Sequence, residues 1–353
     1  MKTPIVPPGL ARRFSARRFL PVLLLLTFAG SAVAEEKNAA QEEAIAAIKK
    51  MKGDVVVDRK RPGQPVTEVH LYAGRTAGIG LAPLERLPEI EWIGLHDSDI
   101  TDAELEHLKG LTKLKRLGLA HLGFTDASLE RIAGMTALEI LFLMENPVTD
   151  AGLDHLQKMT KLKQLGLGLT KITDAGLAKL VVFKELETLD LQGLKITEAG
   201  LAHLAALTHM QALDLHDCVG VRDLKALRGW RLVSLNATHL NSVTDFTPLA
   251  GMPLASLSLY GCRNFRDASL LAGMPLTNLD LTGTQIENLS VLRGMPLTSL
   301  NCSDTPVSDL SPLEGCKELK TLRAQRTKVT ADGVAALQKA LPNCKIEWEA
   351  PPH

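Results

Sequence analysis

The sequence predicts an α/β solenoid, a horseshoe whose concave face is one parallel β-sheet and whose convex face carries helices and then 3-10 turns. Three observations predict it. The stretch from Leu162 to Glu185 puts Leu162, Leu165 and Leu167 in an L-x-x-L-x-L run with the alternation of a short strand. Leu177, Leu180 and Phe183 follow at three-residue spacing, as on one apolar face of a helix. A strand and helix of that size cannot bury their own apolar residues, so the unit must be stacked on copies of itself. The chain supplies them. Units begin at Val66, Ile90, Leu114, Leu138, Leu162, Leu186 and Met210, 24 residues apart, and continue at Leu232, Leu254, Leu276, Leu297 and Leu319 with spacings of 22, 22, 22, 21 and 22. A chain of 353 residues would suggest two or three domains. A stacked array instead grows by adding rungs and needs no second core.

Residues 1–34 read as an export signal. Arg12, Arg13, Arg17 and Arg18 precede an apolar run from Phe19 to Ala29, and Ala32-Val33-Ala34 is an A-x-A site before Glu35. The run is short for a membrane span of about 20 residues, so an uncleaved anchor is disfavoured. The expected location is periplasmic or secreted, with no membrane span in the mature chain. Residues 35–65 read as an N-terminal cap. Ile45, Ile48 and Met51 have helical spacing, Val55 to Val57 read as a strand, and Arg61-Pro62-Gly63-Gln64-Pro65 as a turn. About 12 rungs fill residues 66–340. Residues 341–353 close the array, with Ile346 and Trp348 at inward strand positions.

From the second rung on, most ninth positions are polar or cysteine: Ser98, Asn146, Thr170, Cys218, Cys262, Thr284, Thr305 and Thr327. With the L-x-x-L-x-L run this resembles the leucine-rich repeat family over residues 66 to about 348. The 24-residue units, with T-D-A-G-L at Thr149 to Leu153 and Thr173 to Leu177, look like bacterial ribonuclease-inhibitor-like and cysteine-containing repeats. The 22-residue units, with Pro248 in DFTPL and Pro312 in DLSPL, look like internalin-type repeats. The resemblance implies that the ninth residue bonds loop backbone groups; Leu122, Leu194 and Leu240 depart from that pattern. In the early units Thr and Asp are suited to capping a helix, whereas the later prolines favour a 3-10 turn.

Composition narrows the function. Without residues 1–34 the chain has 35 basic and 40 acidic residues, a net of −5, which gives it no electrostatic reason to seek nucleic acid. No Gly-rich phosphate loop follows a strand, and no G-x-S-x-G elbow occurs. No cofactor is implied. Cys218 and Cys262 lie two rungs apart, beyond disulfide reach, and Cys302 and Cys316 replace core residues. Cys316–Cys344 is the one pair to weigh, and it is disfavoured. His107, His155 and His203 recur at one convex position and read as solvated.

The third, fifth and seventh residues of each rung point onto the concave face. Aromatic residues are only 4% of the chain, yet Tyr72, Trp92 and Phe142 fall at one end of that face, with His96, Arg116 and Met144 beside them. Tyr, Trp and Arg dominate binding hot spots. These six are the candidate ligand-binding residues. The predicted function is a non-catalytic, monomeric scaffold recognising a protein or cell-envelope polymer on its concave sheet. Two alternatives remain: a purely structural envelope protein, and an envelope hydrolase or metal-dependent enzyme using Asp190, Asp214, His216 and His239. A solvated polar strip is favoured over a metal site there, because no H-x-x-x-H or paired-cysteine spacing supports a metal.

Overall fold

The computed structural model describes residues 36–72 and 78–350. The export signal expected over 1–34 lies outside the described residues. Among those described, no helix is long and apolar enough to cross a membrane. Helix α1 spans residues 36–50. The strands are β1 (Asp54–Val57), β2 (Val66–Tyr72), β3 (Trp92–His96), β4 (Arg116–Ala120), β5 (Ile140–Phe142), β6 (Gln164–Gly166) and β7 (Thr188–Asp190). They continue as β8 (Ala212–Asp214), β9 (Ser234–Asn236), β10 (Ser256–Ser258), β11 (Asn278–Asp280), β12 (Ser299–Asn301), β13 (Thr321–Arg323) and β14 (Lys345–Glu347). All fourteen form one sheet in chain order. The β1–β2 pair is antiparallel and each later pair is parallel.

Register follows from the leucines. Leu141, Leu165, Leu189 and Leu213 are direct neighbours across β5 to β8, and each is essentially fully buried. A one-residue slip would turn such a row to solvent. At the first edge Ala44 and Ile48 of α1, with Met51 in the turn after it, join the same core. At the last edge Ile346 and Trp348 are only half-buried against it, and the Trp348 indole N–H is enclosed without an acceptor.

Ninth-position side chains satisfy the corners between rungs. Asn146 Nδ2 donates to Leu119 O at 2.6 Å, and its Oδ1 accepts from the amides of Leu122 and Phe124. Thr170, Thr284, Thr305 and Thr327 donate to the carbonyl three residues earlier. Leu194 and Leu240 are buried instead, filling the space with apolar atoms. All five cysteines are free and buried. The Cys218 and Cys262 thiols each reach a carbonyl one rung back at 3.0 Å. Burial pushes them up to about 12 and about 11, so they stay protonated donors.

The convex face departs from a simple helix-then-turn order. Helices α2 (Asp126–Ile132), α3 (Asp174–Lys179) and α4 (Glu198–His203) lie in 24-residue units, but so do 3-10 helices at Asp102–Leu108 and Gly152–Leu156. Short connecting pieces of this kind are where 3-10 turns are common. The shorter units carry 3-10 helices such as Thr247–Leu249 and Ser311–Gly315. Between β13 and β14 the offset returns to 24, and the ten-residue α5 (Ala331–Ala340) fits there. The shorter units hold only 3-10 turns, whereas a 24-residue unit accommodates either form.

The T-D-A-G signature acts between units. Asp126, Asp150 and Asp174 each accept from both the amide (2.8 Å) and the hydroxyl (2.6 Å) of the threonine one rung on: Thr149, Thr173 and Thr197. The expected cap on the residue's own helix survives only in part: Thr197 accepts from Ala199 N–H, whereas Thr173 makes no such cap. The convex histidines differ too: His203 is exposed, but His155 is half-buried and His107 Nδ1 lies 2.7 Å from Glu85.

Candidate functional site

Strands β2, β3 and β4 align their outward residues in three rows: Glu68–Trp92–Arg116, His70–Gly94–Gly118 and Tyr72–His96–Ala120. Strand β5 adds Ile140 to the first row and Phe142 to the second. Trp92 is held from two sides. The His70 ring meets it edge-on with centroids 4.6 Å apart, and the Arg116 guanidinium carbon lies 4.5 Å from the indole centroid. Tyr72 stacks parallel on His70 at 5.6 Å and tilts toward His96 at 6.4 Å. The Glu68 carboxylate lies 3.4 Å from Arg116 Nη2 and 3.6 Å from His70 Nε2. Aromatic and cation–π contacts of this kind contribute roughly 0.5–1.5 kcal/mol each. They fix side chains that would otherwise rotate freely.

Tyr72, Trp92, His96 and Arg116 thus form one connected cluster. Phe142 and Met144 form a second. A Cβ at Gly166 would sit 3.0 Å from Phe142 Cδ1 and inside Met144 Sδ, so both side chains lean onto the β6 glycine. Gly118 separates the two groups. A Cβ there would meet only backbone, Gly94 Cα at 3.7 Å and Ile93 O at 3.9 Å. The result is a bare floor between a pinned indole and a Phe–Met pair. Gly94 has a different reason: the His70 ring occupies its side-chain space, with Nδ1 2.8 Å from where a Cβ would be. Glu68 and His70 are the members sequence reasoning left off. Their outward parity was readable, but their role depends on Trp92 and Arg116, one and two rungs away.

Asp190 and Asp214 carry a backbone task. The ladder uses the amides of Leu191 and Gly193, leaving that of Gln192, which Asp190 Oδ1 accepts at 2.9 Å. The same i to i+2 contact recurs from Asp214 to His216, Asn236 to Thr238, Asp280 to Thr282 and Asn301 to Ser303. These are Asx turns that finish each strand. Burial, then the Asp214 carboxylate on the next strand, raises the Asp190 carboxyl above its ordinary range. Being raised, the group costs stability when ionised, and the cost disappears as pH falls below the unfolded-state value of about 3.9. Asp190→Asn keeps the acceptor and removes the charge. It is expected to raise the melting temperature at pH 7 and to change it little at about pH 3; calorimetry with no gain at pH 7 would count against the buried-charge account.

Parallel strands, in-register leucines, corner donors and convex short helices together define a leucine-rich-repeat solenoid. No family model matches this chain, and no curated protein does. Solved structures do. An internalin (InlF) from Listeria monocytogenes is similar at 23% identity and a TM-score of 0.62, covering 89% of this chain and 90% of its own. A leucine-rich-repeat protein of Leptospira interrogans is similar at 14% identity and a TM-score of 0.47, covering 84% of this chain and 94% of its own.

Proposed function

We propose that this chain is an exported, monomeric, non-catalytic scaffold that takes a protein or other envelope polymer against the N-terminal rungs of its concave sheet. The observation that supports this is the pinned Trp92 beside the bare Gly118 floor, with Phe142 and Met144 on the far side. An indole already fixed by His70 and Arg116 loses little rotamer freedom on binding, so its buried area converts more fully into affinity. A solenoid of the internalin kind offers this face as one continuous surface. The carboxylates an enzyme reading would need, Asp190 and Asp214, are engaged with backbone amides.

The test is capture of a partner from envelope extract, followed by titration calorimetry with that partner. Trp92→Ala and Phe142→Ala should each weaken binding by about 2 kcal/mol or more, the size expected of hot spots. Gln325→Ala, beside β13 on the same sheet, should leave affinity within about 0.5 kcal/mol. Full affinity in the Trp92→Ala, Phe142→Ala double variant would move the site off these rungs.

A further inference from the structure

We propose that His216, Asp217 and His239 form a binding site for a divalent transition metal of the zinc class. The three sit where consecutive rungs leave the sheet after β8 and β9. Asp217 and His239 both adopt the left-handed backbone, φ 56° and 59°, which turns them from the strand direction toward one edge of the concave face. One ligand atom from each of the three residues lies within 4.8 Å of the other two. Asp217 stands between the imidazoles, Oδ1 2.9 Å from His239 Nδ1 and Oδ2 3.2 Å from His216 Nε2.

Those separations suit a shared cation. Zinc takes nitrogen and oxygen ligands at about 2.0–2.2 Å, which at a tetrahedral angle places two donors roughly 3.3 Å apart. The two carboxylate–imidazole spacings, one from each Asp217 oxygen, are near that value. The imidazole nitrogens, within 4.8 Å of each other, need to close by no more than about 1.5 Å to reach it. The side chains are 30%, 47% and 38% exposed, enough to allow that motion. Neutral imidazole with carboxylate is a donor set zinc and its neighbours prefer to magnesium or calcium.

The donors are also supported from behind. Asp214 Oδ1 accepts the His216 amide at 2.8 Å, and its Oδ2 accepts from Asn236 Nδ2 at 3.0 Å. The His239 ring packs on Tyr260 at 5.0 Å and lies across Gly261, where any Cβ would strike it. Three protein ligands leave a fourth position for water. It would face the cleft of about 650 Å³ that Asp217 and His239 line together with Tyr260, Arg263 and Asp304.

The chain contains its own control. His96-Asp97 with His121 one rung on repeats the His-Asp…His arrangement, yet His96 turns to Tyr72 and only Asp97 and His121 meet. The same residue types are therefore gathered once and left apart once.

The experiment is calorimetric titration of the untagged, chelator-treated full chain with Zn2+, repeated with Co2+ read by visible absorption. One equivalent should bind. His216→Ala and His239→Ala should each weaken it by more than the roughly 10–100-fold typical of losing a ligand's outer hydrogen-bond partner, while His121→Ala leaves it unchanged. Metal-free melts within a few degrees of the parent show that each variant folds. No binding by the folded parent, or stoichiometric binding that survives the His216→Ala, His239→Ala double variant, overturns the proposal. Loss in His121→Ala alone does so too, by placing the ion at the other triplet.

Discussion

Leu165→Ala is expected to lower the free energy of unfolding by about 2–5 kcal/mol. Leu165 is the middle residue of β6 and is 1% exposed. Its register neighbours are Leu141 on one side and Leu189 on the other, both fully buried. Truncation removes apolar area and leaves a cavity that neither neighbour can fill, since each is fixed by its own rung. In a solenoid that loss falls on the interfaces between a rung and its two neighbours, because the rungs contact nothing else. His203→Ala, at an exposed convex position of α4, should stay within about 0.5 kcal/mol. Urea melts would decide: equal midpoints for the two variants would place the inward and outward residues the wrong way round.

Leucine spacing made the fold legible because burial in a stacked rung is a local property of the pattern. Leu162, Leu165 and Leu167 face inward whatever lies in the next unit. Other features depend on residues one rung away, about 22 to 24 positions distant in the chain. The sequence placed Tyr72, Trp92 and Arg116 on one face. That His70 and Arg116 clasp the indole, and that Glu68 reaches both of its holders, needed the register of β2, β3 and β4. Phe142 and Met144 share the outward parity of these residues, and their side chains lean on Gly166. The His216, Asp217, His239 cluster was obscured for the same reason. Its spelling is matched by His96, Asp97 and His121, and only ring direction separates the two.

The Thr-Asp pair has the spelling of a helix cap, and its larger role lies across the gap to the next unit. Gly176→Ala brings this out, because two local rules disagree on it. Gly176 lies within α3, where alanine is intrinsically better by about 1 kcal/mol. Yet the space a Cβ would take is held by Asp150 Oδ1, with Ile172 Cγ2 at 2.8 Å on the other side. Asp150 cannot simply rotate away, because it receives both the amide and the hydroxyl of Thr173. Hydrogen bonds to a charged group contribute roughly 1.5–3 kcal/mol when buried, and these partly exposed ones sit at the low end. The alanine must displace the carboxylate and disturb both bonds, so a net loss of about 1–3 kcal/mol is expected in place of a gain. The same geometry holds for Gly152 over Asp126 and Gly200 over Asp174, which accounts for the glycine of the repeated signature. A double-mutant cycle separates this from ordinary crowding. With Asp150→Ala already made, the clasp is gone and only Ile172 Cγ2 still crowds the Cβ, so adding Gly176→Ala should cost clearly less than it does alone. Denaturant melts in which the two substitutions add to within about 0.5 kcal/mol would show that Asp150 is not what excludes the side chain.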